Sequence, residues 1–106
     1  MPQKPLEQLR ELAARIQNLP TTEQGAHLLS ELVTEALSLL SRIEEQNNGR
    51  VALRCQVSRA KLQTEVAGYL TAFQQATDKR EQITRITQAR AEAHYLLWQV
   101  LLAAAR

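Results

Sequence analysis

Few side chains in this sequence have the type and spacing that chemistry requires. His27 has Glu23 four residues before it and Glu31 four residues after it, so a helix would place all three on one face, where they could chelate a cation. The same spacing is typical of a solvated helix face with local pairing, which we consider the better interpretation. His94 and Glu92 are two residues apart and would point away from each other. We therefore expect no metal site.

Cys55 is the single cysteine and the one thiol that could act as a nucleophile. Arg54 and Arg59 could stabilise its thiolate, but Cys55 also lies four residues after Val51 and seven before Leu62, as in a buried helix stripe. The sequence has no histidine near it, no glycine-rich phosphate loop and no Gly-x-Ser-x-Gly elbow. We expect no catalytic residues, no cofactor and no small-molecule substrate, and hence a protein that is not an enzyme.

The charge is distributed unevenly along the chain. Residues 1–49 carry four cations and seven acids, net −3, whereas residues 50–106 carry nine cations and four acids, net +5. The densest basic stretch spans 50–61 and contains Arg50, Arg54, Arg59 and Lys61. A turn at residues 47–49 would bring Glu44 and Glu45 beside this stretch, so we consider pairing within the chain the better interpretation. The alternative is contact with nucleic-acid phosphates or another anion.

The composition predicts an all-α fold in one domain, residues 1–106. Leu, Ala, Gln, Glu and Arg dominate, and the chain has only three Gly and three Pro. Proline and Asn-Asn-Gly boundaries, together with apolar residues at three- and four-residue steps, place helices at about 5–19, 22–46, 51–77 and 79–105. This arrangement is an antiparallel bundle of three long helices plus a short N-terminal helix, and we expect it to form oligomers.

The junction between the last two helices has a competing interpretation. Asp78 with Glu81 three residues later has the pattern of a capping box, and the apolar heptad phase changes between Phe73 and Ile83. The segment "ATDK" contains neither Gly nor Pro, however, which is unusual for a loop. The alternative is therefore a helical hairpin with one very long C-terminal helix.

The chain ends in "AHYLLWQVLLAAAR", which is apolar on nearly every side of a helix. The run is about half the length that a membrane span needs, so we expect burial in protein and no membrane attachment. A helix of this kind has more apolar surface than one hairpin covers, which predicts a partner interface formed by Tyr95, Leu97, Trp98, Leu101 and Leu102.

These features favour a function in protein–protein interaction. We expect a small helical module, such as an adaptor, chaperone, regulator or assembly subunit, that binds another protein or a second copy of itself. The alternative is a small dimeric nucleic-acid-binding protein that uses the basic stretch 50–61. The charged first 15 residues and the lone cysteine lead us to expect a cytoplasmic protein.

Overall fold

The first half of the chain forms two helices joined by a short loop. In the computed structural model, which describes residues 4–105, α1 spans Lys4–Gln17 and α2 spans Glu23–Gln46. The Thr22 hydroxyl caps α2 by accepting a hydrogen bond from the Gly25 amide at 3.2 Å. Gly25 is needed there, because a Cβ at this position would lie 1.9 Å from the Pro20 carbonyl oxygen.

The Asn-Asn-Gly boundary between the second and third helices does not end α2 with a left-handed residue, as many helices end. Asn47 and Asn48 are both extended, and the Asn47 side-chain amide donates to the Ile43 carbonyl at 2.8 Å. The left-handed residue is Gly49, with φ at +62°, and it is the first residue of α3 rather than the end of α2. The third helix consequently begins two residues earlier than the predicted position 51.

The third helical rod contains a local change of helix type. Helix α3 spans Gly49–Lys61, a π-helical turn covers Leu62–Val66, and α4 spans Ala67–Gln75, with no break between them. A π turn adds a residue to the turn and so shifts which side chains face a neighbouring helix. The apolar spacing of the sequence did not predict this turn.

A three-residue connection separates α4 from α5, which spans Lys79–Ala104. Ala76 and Asp78 are extended, the Asp78 carboxylate accepts from the Arg80 amide at 3.0 Å, and the Gln82 side chain donates to the Ala76 carbonyl at 3.0 Å. Neither residue needs a left-handed conformation, which is why a loop without Gly or Pro suffices. The alternative of one very long C-terminal helix is therefore wrong.

The chain is all-helical, as predicted, and the part that the structure describes has four helical rods, because α3, the π turn and α4 form one continuous rod. Helix α1 packs on α2 and α5, α2 packs on α3, and α3, the π turn and α4 all pack on α5. The molecule measures 44 × 21 × 20 Å along its principal axes. The core between the helices contains Leu9, Ile16, Leu29, Leu40, Ile43, Leu62, Val66, Leu97 and Val100, all nearly or fully inaccessible to solvent.

Two hydrogen bonds attach α5 to its neighbours. The buried Ser58 hydroxyl of α3 donates to the Leu96 carbonyl of α5 at 2.8 Å. On another side of α5, the Arg90 guanidinium donates to the Leu19 carbonyl just after α1. These contacts join α5 to α3 and to the loop that follows α1.

Candidate interaction surface

The five predicted interface residues of α5 lie on two different faces. Leu97 and Leu101 are 0% and 6% exposed and belong to the core, so we withdraw them from the candidate surface. Tyr95, Trp98 and Leu102 are 55%, 41% and 40% exposed. Their spacing of three and four residues places these three side chains on one outer face of the helix.

The outer face of α5 extends well beyond the three large side chains. Exposed residues continue towards the N-terminus at three- and four-residue steps, and we name the whole set the α5 stripe: Thr84, Thr87, Ala91, Tyr95, Trp98 and Leu102. In the described part of α5, no exposed residue after Glu81 carries a charge. The charged residues in this stretch, Arg85, Arg90 and Glu92, are half-buried instead.

The exposed faces of α1 and α2 have the opposite character. On α1 and α2 the exposed residues include many charges, namely Glu7, Arg10, Glu11, Arg15, Glu23, Glu31, Glu35, Arg42 and Glu45. Charged residues are the usual occupants of a solvated helix face and are depleted from the centre of protein interfaces, where Tyr and Trp are enriched. The α5 stripe therefore has the composition of an interface and not of a solvated helix face.

Trp98 is held in a defined position on the stripe. Its indole stacks with the His94 imidazole one turn earlier, with ring centroids 6.2 Å apart and planes inclined by 10°. A Tyr or Trp side chain buries roughly 150–250 Å² when fully covered, so Tyr95 and Trp98 each leave roughly 100 Å² of accessible surface. With Leu102 the uncovered area is about 300 Å², which is the lower end of the range for the largest apolar patch on a typical monomer.

The structure divides the basic stretch between two sides of α3. Arg59 forms an ion pair with Glu44 of α2, and Gln56 donates to the same carboxylate at 2.8 Å. Arg50, Arg54 and Lys61 are exposed and follow one another at steps of four and seven residues, which places them on a shared face. Arg59 thus serves the packing of α2 on α3, and three cations of the predicted patch remain in solvent.

The remaining candidates for chemistry are accounted for by packing and local pairing. Cys55 is fully buried, and its pKa is raised to about 11, first by burial and then by Glu44, against a lowering by Arg59. The imidazole of the exposed His27 lies 3.5 Å from the Glu31 carboxylate, one turn along α2. Within residues 4–105, no group of three His, Cys, Asp or Glu side chains is arranged to hold a metal ion.

A groove that sequence reasoning missed lies at the end of the molecule where α2 begins. It has a volume of about 670 Å³, and its apolar lining includes Ala26, Leu70, Phe73 and Ile83. Helix α4 packs chiefly on α5, whereas α2 packs chiefly on α1 and α3, so the start of α2 and the end of α4 leave a space between them. Ile83 of α5 lines this groove and is 42% exposed.

None of the described helices, α5 included, combines the length and the apolar character that crossing a membrane requires.

Comparisons of the chain with protein-family models, with curated proteins and with solved structures find no match. The function is therefore inferred from the geometry of the surface alone.

Proposed function

We propose that this protein is a helical interaction module that binds a helix of another protein chain along the α5 stripe. The observation that carries the proposal is the uncharged, exposed row of side chains on α5 with Tyr95 and Trp98 at its centre. Helix recognition by an elongated apolar face uses residues at three- and four-residue steps in this way. Its role is that of an adaptor, chaperone, regulator or assembly subunit in the cytoplasm, without catalysis.

The mechanism is burial of apolar surface against a partner. Helix α5 packs on α1, α3 and α4, so its outer face is presented by a helix whose inner face is already fixed in the core. A preformed face needs little reordering on binding, which reduces the entropic cost of association. Trp98, already stacked with His94, has less rotamer freedom to lose than an isolated exposed side chain.

The test is capture of binding partners by tagged variants with one charge inserted. Trp98→Asp places a carboxylate on the stripe, while Leu53→Asp places one on α3, at a side chain that is 59% exposed. Both positions face solvent, so both variants should fold, as circular dichroism and thermal melting will check. We expect Trp98→Asp to abolish capture of a partner from the source cell, and Leu53→Asp to retain it.

A partner found in this way is then purified and mixed with the purified chain. The proposal requires binding that is lost with Trp98→Asp and kept with Leu53→Asp in the reconstituted mixture. Equal binding by both variants, or equal loss, would refute the stripe as the binding surface.

A second candidate function rests on the exposed cations of α3. Arg50, Arg54 and Lys61 share a face and could contact successive phosphates of a nucleic acid. Charge reversal at Arg54 should then abolish binding of DNA or RNA at low salt, with affinity in the parent chain falling steeply as salt rises. Absence of binding by the parent chain at low salt would remove this candidate.

A further inference from the structure

We propose that the α5 stripe pairs with the α5 stripe of a second copy of this chain, with the two helices antiparallel. This proposal rests on the interaction function proposed above and names a second copy of the chain as the binding partner of the stripe. Three features of the stripe support it: its period, the order of large and small side chains along it, and its lack of charge.

The period of the stripe matches that of a coiled coil. Ala105, exposed at the C-terminal end of α5, continues the row by one further step. From position 84 to position 105 the row covers 21 residues in six steps, an average of 3.5 residues per step. A repeat of 3.5 keeps a row of side chains facing a second helix along its whole length.

The order of side chains along the stripe is self-complementary when the second helix is reversed. Setting position 91 against position 98 of the second copy also sets 87 against 102 and 84 against 105. Two of the three large side chains then meet a small one: Trp98 meets Ala91, and Leu102 meets Thr87. Alternation of large and small residues is what lets two faces interdigitate without voids.

Parallel pairing of the same two helices gives a worse fit. It would set Trp98 against Trp98 and Ala91 against Ala91. Large side chains would then crowd the C-terminal half of the interface, and small side chains would leave empty space in its N-terminal half. In the antiparallel arrangement Tyr95 lies close to the two-fold axis and meets its own copy. A two-fold interface of this kind uses the same patch on both subunits, which is the commonest symmetry of soluble oligomers.

The absence of charge from the stripe also favours a second copy. A two-fold interface brings every charge near the axis close to an identical charge, and like charges placed opposite each other are unfavourable. The exposed faces of α1 and α2 would bring such charges together, whereas the stripe brings none from 84 to 105. Repulsion between like charges therefore does not oppose the pairing of two α5 stripes.

The experiment begins with hydrodynamic mass of the purified full-length chain by sedimentation. We expect a dimer at about 100 μM that dissociates on dilution, with the emission of the single tryptophan, Trp98, moving to longer wavelength as the interface opens. Trp98→Asp should weaken the dimer by about 100-fold or more, because the substitution occurs twice per interface. Leu53→Asp is the control and should leave the dimer intact.

Disulfide trapping then determines the direction of the helices. Thr84→Cys and Ala105→Cys are prepared as separate proteins and oxidised alone and as an equimolar mixture. Antiparallel pairing predicts a linked dimer in the mixture and little in either protein alone. The native Cys55 is buried and stays protonated near neutral pH, so the parent chain should not form links.

The outcomes distinguish failure of self-pairing from failure of the interaction function. A monomer at the highest concentration overturns self-pairing, and the interaction function still stands if partner capture depends on Trp98. Linked dimers in each cysteine variant oxidised alone would show parallel pairing and overturn the antiparallel arrangement. A dimer unaffected by Trp98→Asp would overturn self-pairing through the stripe, and the interaction function would again depend on whether partner capture requires Trp98.

Discussion

Ser58 of α3 donates its hydroxyl to the backbone carbonyl of Leu96 in α5, at 2.8 Å and within the core. Ser58 is 1% exposed, so on folding its hydroxyl loses its hydrogen bonds to water and donates to the Leu96 carbonyl instead. We predict that Ser58→Ala lowers the free energy of unfolding by about 1 kcal/mol, measured by urea denaturation. Ser38→Ala, at an exposed position of α2, should change it by less than about 0.5 kcal/mol.

Two glycines in helices should respond in opposite directions to the same substitution. Gly25→Ala would push a methyl group into the Pro20 carbonyl, so we expect a loss of about 2 kcal/mol or more in thermal or urea unfolding. A Cβ added at Gly68 in α4 would meet no other atom within 4 Å, and Gly68→Ala should raise stability by about 0.5–1 kcal/mol. Equal effects at the two sites would contradict the packing of the α1–α2 loop on α2.

The stability of the fold should decrease at alkaline pH because of Cys55. Burial raises the pKa of this thiol from 9.0 to about 11, so the folded state keeps the proton over a range in which the unfolded state loses it. Stability is therefore fully present below pH 9 and falls as the pH rises from 9 towards 11. Cys55→Ala should show a shallower fall than the parent chain, measured by denaturant unfolding at each pH.

The two basic positions Arg54 and Arg59 should differ in their effect on stability. Arg59→Glu would place a second carboxylate beside Glu44 at the partly buried contact between α2 and α3, and we expect a loss of about 1–2 kcal/mol. Arg54→Glu, on the exposed face, should change stability by less than about 0.5 kcal/mol. If Arg54→Glu proved the more destabilising of the two, the division of the basic stretch would be wrong.

The helical class and the breaks between helices could be predicted from local sequence. Thr22 and Asp78 act as N-caps because their side chains reach amides within their own turn, an interaction that involves only neighbouring residues. The π turn at Leu62–Val66 could not be predicted in this way. It packs on α5, and a contact between residues so far apart in the chain is not specified by local sequence.

The candidate surface was predicted in position but not in detail. The apolar C-terminal run indicated an uncovered face, and Tyr95, Trp98 and Leu102 do lie in solvent. Leu97 and Leu101 have the same residue type and neighbouring positions, and only the placement of α1 and α3 around α5 shows that they are buried. Likewise, the sequence could not decide which cation of the basic stretch would meet Glu44.

The most direct measurement of the central claim is photo-crosslinking in the source cell from two matched positions. A photoreactive phenylalanine analogue replaces Tyr95 in one version of the full chain and Leu53 in another, two side chains that are 55% and 59% exposed. We predict discrete crosslinked species from position 95, either with a second copy or with a partner protein, and none from position 53. Absence of adducts from position 95, or the same adducts from both positions, would contradict the assignment of the α5 stripe as the binding surface.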